Sequence, residues 1–156
     1  MNYDKFLSRG KLLGNEHGAW VQGAYHIHKK RMLSPIGDSL KDDEIAHLII
    51  QNGFADWNMP RNLEAVQIDH TTIGQNTTRK DIHNKTIYEN DIVKVFGKIG
   101  IVEFNFGGWT VKTICGGHIR WGNREDLWEF DPEDIEIIGN IHDNPDILGK
   151  DSEEAE

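Results

Sequence analysis

Apolar and polar positions alternate over short stretches near the N-terminus of the chain. Residues 20–28 are rich in aromatic and β-branched side chains and follow a turn-forming cluster at residues 15–18. This pattern is typical of a β-strand, and the segment Lys11-Leu-Leu13 supplies a second strand to pair with it. We therefore expect an N-terminal hairpin.

The second half of the chain repeats this pattern more densely. Strand-like segments recur at residues 91–96, 99–104, 109–114, 118–121 and 134–138. Seven of the sixteen glycines fall between positions 97 and 122, where they separate these segments. Short strands with glycine turns at this spacing predict a small antiparallel barrel or sandwich, and of these we expect an SH3-like barrel.

One segment instead has the spacing of a helix. Ser39 and Asp42 fit a capping box, and residues 42–44 place negative charge in the first turn. Apolar side chains then form one stripe at i, i+3 and i+4: Ile45, Leu48 and Ile49. Asn52 and Gly53 are typical of a helix end, so a helix is predicted here.

These patterns predict a mainly β protein in four parts. They are an N-terminal β segment with a strand pair at 1–38, a helical insertion at 39–62, a C-terminal β-barrel at 63–148 and an acidic tail at 149–156. No internal repeat or low-complexity linker separates the first three parts. We therefore expect residues 1–148 to form one compact unit.

Charge is unevenly distributed along the chain. The formal net charge is −9, yet residues 131–156 alone hold ten acids and a single base, Lys150. Residues 1–130 hold sixteen acids and sixteen bases. The net charge therefore does not exclude a basic patch on the body of the protein, and residues 151–156 are expected to form a solvated tail.

Signals for export and for disulfide bonding are missing from the sequence. The first residues show neither an apolar core nor a small-residue cleavage site, and the longest apolar runs are only a few residues. We therefore expect a cytoplasmic protein without membrane spans. The single cysteine, Cys115, excludes an internal disulfide framework and is expected to be reduced.

Candidate catalytic residues are few. His26 and His28 lie at i and i+2 on the predicted strand, so both point to one face. With Glu16, His17 or His118 they could bind a divalent metal. The chain has no HExxH spacing, nucleophile elbow, P-loop or GxGxxG motif. We expect no catalysis and no cofactor, with a histidine-based metal-dependent hydrolase as a distant alternative.

A recognition surface is the better-supported kind of site. Aromatic and cationic residues cluster in the glycine-rich region: His118, Arg120, Trp121, Arg124 and Trp128. Arginine interleaved with tryptophan suits stacking on nucleic-acid bases or a protein-interface hot spot. Trp109, which lies on a predicted strand, is expected in the core instead.

Four segments of the chain resemble the YopX family of phage and prophage proteins. They are Arg9–Lys11 with Gly18–Gly23 and Tyr25; Gln75 with Lys80, Asp81, Lys85, Ile87–Glu89 and Asp91–Val93; the glycine-rich run at 99–115; and residues 136–148. Together they span most of the chain outside the predicted helical insertion and the tail. Residues 76–79 depart from the family pattern, and Asn90 replaces a glycine. The resemblance implies a mainly β, phage-borne protein and carries over no catalytic residue.

The motif residues also have a structural explanation. Tyr88–Asp91 precede an apolar strand, so we expect a turn whose acids accept hydrogen bonds from backbone amides. Gly139 and Asn140 are expected to form a bend between two apolar stretches, and Asn144-Pro145 to end the ordered region.

We therefore expect a phage-derived accessory protein that acts by protein–protein interaction and assembles as a homo-oligomer. A small barrel with exposed edges needs those edges covered, which favours self-association. The expected partners are further copies of the chain and a host or phage protein. The alternative is a nucleic-acid-binding protein that uses the Trp/Arg surface of the barrel.

Overall fold

A computed structural model describes residues 4–14, 18–31, 33, 39–53, 58–115 and 118–150. The strands are β1 Leu7–Lys11, β2 Trp20–Lys29, β3 Ile45–Asn52, β4 Leu63–Gln67, β5 Gly74–Lys80, β6 Thr86–Tyr88, β7 Asp91–Val95, β8 Lys98–Asn105, β9 Gly108–Cys115, β10 His118–Asp126 and β11 Ile135–Asn140. Short 3-10 turns lie at Asp4–Phe6, Asp42–Glu44, His70–Thr72, Leu127–Glu129 and Pro132–Asp134, and a four-residue helix α1 spans Ile147–Lys150. Across the described ranges, no helix is long and apolar enough to cross a membrane.

The chain divides into two compact units, Met1–Gln75 and Asn76–Glu156. In the first unit, β1 to β4 form an antiparallel meander in which each strand pairs with its neighbour in the sequence. The predicted N-terminal hairpin is confirmed as β1–β2. Ala46, Ile49 and Ile68 are buried in this unit. The first two residues of β5 pair with the free side of β1.

The predicted helix at residues 39–52 is wrong, because Ile45–Asn52 forms strand β3. A single 3-10 turn, Asp42–Glu44, is present at the expected helix start, but its cap is not the predicted pair Ser39 and Asp42. Instead the Glu44 carboxylate accepts a hydrogen bond from the Lys41 amide at 2.9 Å. Beyond that turn, β3 pairs with β2 on one side and β4 on the other. The periodicity of a short isoleucine-rich run does not distinguish a helix from a strand. Here hydrogen bonding along both edges stabilises the strand. Residues 54–57 of the predicted insertion lie outside the described residues.

The second unit is organised around a five-stranded antiparallel sheet with the order β10-β9-β8-β7-β11. Side chains that alternate along its strands face one core, which also takes residues from β6 and from the segment after β10. The core consists of Ile87, Val93, Val95, Val102, Val111, Leu127, Phe130 and Ile135. These strands confirm the segments predicted from residue 91 onward, whereas the closed barrel was not found. Within the described residues, β10 and β11 are the two edges and do not pair with each other.

Turns in the second unit depend on buried polar side chains. Asp91 is 1% exposed and accepts a hydrogen bond from the Tyr88 amide at 2.8 Å. Asn140 ends β11 and accepts from the amides of His142 and Asp143 at 3.0 and 2.9 Å. Both expected turn roles are therefore confirmed. The chain continues past Pro145 into α1, so the ordered region extends beyond its expected end.

Asp81 has the most extensive of these backbone contacts. Its side chain is 2% exposed and accepts hydrogen bonds from three main-chain amides. One carboxylate oxygen accepts from His83 and Lys85 at 3.0 and 2.8 Å, and the other accepts from Ile137 at 3.2 Å. A single carboxylate thus joins the turn before β6 to strand β11.

Candidate functional site

The β8–β9 hairpin ends in an aromatic side chain that the fold does not bury. Phe106 and Gly107 occupy the two central positions of the turn, with φ angles of 48° and 85°. These are the positive values of a type I′ turn, which favours asparagine at its first position and disfavours bulky side chains. The Phe106 side chain is 98% exposed. Because the phenyl ring supports neither core packing nor turn geometry, it is a candidate for contact with another molecule.

A shallow pocket of about 550 Å³ lies beside this turn. Its lining residues come from β8, β9, β10 and the following turn: Asn105, Phe106, Gly107, Gly108, Thr110, Arg124, Asp126 and Trp128. Trp128 is 69% exposed, and its Nε1 donates a hydrogen bond to Asp126 Oδ2 at 3.1 Å. Its neighbours Leu127 and Phe130 are buried in the core. The buried side chains of Leu127 and Phe130 therefore fix the turn at Leu127–Glu129 to the core, while the Trp128 side chain is exposed to solvent.

The charged side chains that line the pocket are one cation, Arg124, and one acid, Asp126. Arg124 donates from Nε to Glu103, and Lys112 Nζ lies 3.9 Å from the same carboxylate. The single negative charge of Glu103 thus faces two positive charges. Residues 125–136 contain seven acids and no base, and all seven acids are exposed. Asp126 lines the pocket beside Trp128, whereas the acids of residues 133–136 line another pocket. The charges that line the Trp128 pocket are therefore balanced.

The structure brings together two of the predicted site residues, since Arg124 and Trp128 line the same pocket. His118, Arg120 and Trp121 lie on β10, and their side chains fall outside the described part of the chain. Trp109 is half-buried, packs against the core and meets Phe104 edge-on, with ring centroids 5.0 Å apart.

Sequence reasoning missed Phe106. The available signal was an aromatic residue between Asn105 and Gly107, at a turn position where the chemistry of tight hairpins favours asparagine. Phenylalanine at position 106 disfavours this type of turn, which suggests that its side chain has a role other than forming the turn.

The histidines of the first unit do not form a metal site in the described residues. His26 and His28 are exposed neighbours on β2, with ring centroids 6.5 Å apart. No group of three His, Cys, Asp or Glu side chains converges in the part of the chain that is described. Glu16 and His17, the proposed co-ligands, lie outside it, as does the side chain of His118.

Another pair of histidines borders a pocket of about 310 Å³ in the first unit. His47 stacks on His70, with ring centroids 4.9 Å apart, and its Nδ1 lies 2.5 Å from the Tyr25 hydroxyl. Burial raises the pKa of Tyr25 above its usual value. A tyrosine hydroxyl is protonated at neutral pH in any case, and here it is hydrogen-bonded to the His47 ring.

Replacing Phe106 with asparagine is expected to stabilise the second unit by about 1 kcal/mol, because asparagine tolerates the left-handed backbone that phenylalanine resists. Urea unfolding of the two proteins measures the difference. Phe96→Asn is the matched control: Phe96 occupies the same position in the β7–β8 turn, at φ 47°, but packs edge-on against Phe130 at 6.1 Å. It should gain less or lose stability. A destabilised Phe106→Asn protein would show that the ring contributes to the fold.

Comparison with known families agrees with these observations. The family model described as YopX protein matches residues 18–149, which include β2 to β11. A search of curated proteins finds no match. The match covers most of the chain and confirms the family suggested by the sequence motifs. The chain therefore belongs to the YopX protein family.

Proposed function

We propose that this protein acts by protein–protein interaction and that its principal partner is another copy of itself. The observation that carries the proposal is the exposure of Phe106, in a backbone conformation unfavourable to it, beside the exposed Trp128. Aromatic side chains in a preformed pocket are the usual anchors of protein interfaces. The proposal includes no catalysis and no cofactor.

Self-association is supported by the position of the pocket at the edge of a sheet. Arg124 and Asp126, which line the pocket, belong to β10, and β10 is an outer strand of the five-stranded sheet. Edge strands leave backbone donors and acceptors open to pairing with another chain. An interface that covers the pocket would also cover part of this edge. We further propose an accessory role in the cytoplasm of a bacterial phage host, with a host or phage protein as an additional partner, as the family resemblance implies.

The charge of the surface favours a protein partner over nucleic acid. Single-strand binding requires cations along the phosphate backbone as well as stacking platforms. Here Arg124 is paired with Glu103, and the other charged side chain of the pocket lining is an acid, Asp126. The lining therefore offers a polyanion no net positive charge.

The double variant Phe106→Asn/Trp128→Ala is expected to weaken self-association about 100-fold or more, because two anchor residues at roughly 2 kcal/mol each are removed. Sedimentation velocity from micromolar to millimolar protein measures the dissociation constant. Phe96→Asn, at the corresponding position of the other hairpin, should associate like the natural chain. A natural chain that stays monomeric over this range would refute the proposal. Unchanged association of the double variant would place the interface elsewhere.

A binding assay with a labelled single-stranded oligothymidylate tests the alternative that the protein binds nucleic acid. We expect no binding at low salt. Binding that weakens as salt rises and that Trp128→Ala removes would establish the alternative in place of the proposal, because counterion release makes phosphate contacts salt-dependent.

A further inference from the structure

The lining of the pocket beside Phe106 and Trp128 includes a glycine that the fold does not require. Gly108 begins β9, and its φ angle is not among the positive values that favour glycine. A Cβ atom at this position would meet no atom within 4 Å beyond its chain neighbours. Neither the backbone conformation nor packing therefore explains the glycine. Its effect is to leave this part of the pocket open.

The same surface carries a side chain of the kind that the pocket can hold. Phe106 is 98% exposed, in a backbone conformation that disfavours a bulky residue. The pocket volume of about 550 Å³ is ample for one phenyl ring, since clefts of roughly 300–1,000 Å³ hold drug-sized ligands. Each copy thus presents a projecting aromatic ring and an open pocket side by side on one patch.

The charges of this patch are balanced and lie on different groups. Arg124 and Lys112 share the single carboxylate of Glu103, so this group has a net positive charge. Asp126 also lines the pocket, and its hydrogen bond from the neutral Trp128 indole leaves its negative charge in place. A two-fold contact can place the acid of one copy near the cationic group of the other, and the reverse. The patch can therefore face a copy of itself without net repulsion.

We propose that two copies associate through this patch about a two-fold axis, and that Phe106 of each copy enters the pocket of the other. Each phenyl ring packs against Trp128 of the opposite copy, where contact between aromatic rings adds to the burial of apolar surface. Because ring and pocket lie on one patch, both contacts form in the same dimer, and the dimer is closed. This inference rests on the proposed self-association and specifies its residues and its symmetry.

Two single substitutions remove the two halves of this contact separately. Phe106→Asn removes the projecting ring and keeps Trp128 and the opening at Gly108. Gly108→Leu keeps the ring and places a side chain in the pocket. Each variant alone should associate at least about tenfold more weakly than the natural chain, because neither homodimer has a ring in an open pocket.

A mixture of the two variants tests the reciprocal insertion. In a mixed dimer, Phe106 of the Gly108→Leu chain meets the open pocket of the Phe106→Asn chain, so one complete half of the contact remains. The mixture should therefore form a one-to-one dimer at least about tenfold tighter than either variant alone. An occupant from any other surface predicts no such rescue, because both chains then have an altered pocket.

The β7–β8 hairpin supplies matched controls. Phe96 and Lys98 occupy the positions that correspond to Phe106 and Gly108, and Lys98 is exposed. Phe96→Asn and Lys98→Leu should therefore associate like the natural chain. Circular dichroism confirms that each variant is folded.

Sedimentation velocity from micromolar to millimolar protein gives the dissociation constants and the size of the largest species. Native mass spectrometry counts the chains of each variant in the mixed dimer. Normal association of Gly108→Leu, a mixture no tighter than its components, or growth of the natural chain beyond a dimer would overturn this inference and leave the proposed self-association standing. A natural chain that stays monomeric would overturn both.

Discussion

Replacing Gly23 with alanine is expected to destabilise the first unit by about 3 kcal/mol, the upper end of the usual cost of overpacking. Gly23 is buried in β2 and pairs with Ser8 of β1. A Cβ atom at this position would lie 2.2 Å from the Ile50 carbonyl oxygen and 2.8 Å from Ile49 Cγ2. The nearest obstacle is backbone of the adjacent strand, so the strand itself would have to shift. The glycine in the family's opening motif is thus explained by the close approach of two strands.

Hydrogen exchange measured by mass spectrometry, at one protein concentration, locates the effect to the first unit. Faster exchange is expected in β2 and β3 and little change in β8 and β9, because each unit is compact by itself. Gly108→Ala is the control, since nothing lies within 4 Å of a Cβ atom there. It should change the free energy of unfolding by no more than about 0.5 kcal/mol. A Gly23→Ala protein as stable as the natural chain would contradict the predicted clash.

Replacing Asp81 with alanine is expected to cost the second unit roughly 4 kcal/mol. The change leaves the amides of His83, Lys85 and Ile137 without their carboxylate acceptor, and each unsatisfied buried donor costs about 1–3 kcal/mol. Partial access of water to the turn keeps the total below the sum of three full penalties. A loss of this size is a large share of the 5–15 kcal/mol that stabilises a typical domain.

Graded substitutions separate the hydrogen bonds of Asp81 from its charge. Asp81→Asn keeps one acceptor oxygen for His83 and Lys85 but turns an NH₂ group toward the Ile137 amide, so an intermediate loss is expected. Asp134→Ala, an exposed acid on the same unit, should be nearly neutral. Urea unfolding at neutral pH gives the three values. Equal stability of Asp81→Ala and Asp134→Ala would show that the buried carboxylate is dispensable.

Features that depend on neighbouring residues could be predicted from the sequence. Asp91 accepts from an amide three positions earlier, and Asn140 accepts from amides two and three positions later. The glycine-separated strands of the second half follow the same rule, because a hairpin turn and alternating side chains are properties of a short segment. The family motifs are built largely from such local features.

The helix prediction failed where local and tertiary preferences disagree. Residues 42–44 do start a turn, yet Ile49 is fully buried in a strand that has partners on both sides. No local pattern specifies that β2 and β4, which begin 25 residues before and 18 residues after the start of β3, will supply those partners. The prediction of a closed barrel failed for a related reason, since closure depends on the tilt and stagger of all strands together.

In the candidate site, too, some features follow from local sequence and others only from tertiary pairing. The composition of the glycine-rich region predicted that Arg124 and Trp128 belong to a recognition surface, and the structure places both beside one pocket. Trp109 was expected in the core and is half-buried against core residues. The sequence could not identify Phe106, because the exposure of a side chain and the sign of its φ angle appear only when the hairpin is folded. Pairing of β9 with both β8 and β10 then places Phe106 and Trp128, more than twenty residues apart, beside one pocket.

The sequence by itself therefore determined the family, the β character of the second unit and the turns held by Asp91 and Asn140, because these depend on residues within a few positions of one another. Only folding of the whole chain decides that residues 45–52 form a strand, that the described five-stranded sheet is open and that Phe106 and Trp128 line one pocket. Each of these depends on hydrogen bonds and packing between segments far apart in the chain, whose free energy becomes available only when the sheets have formed.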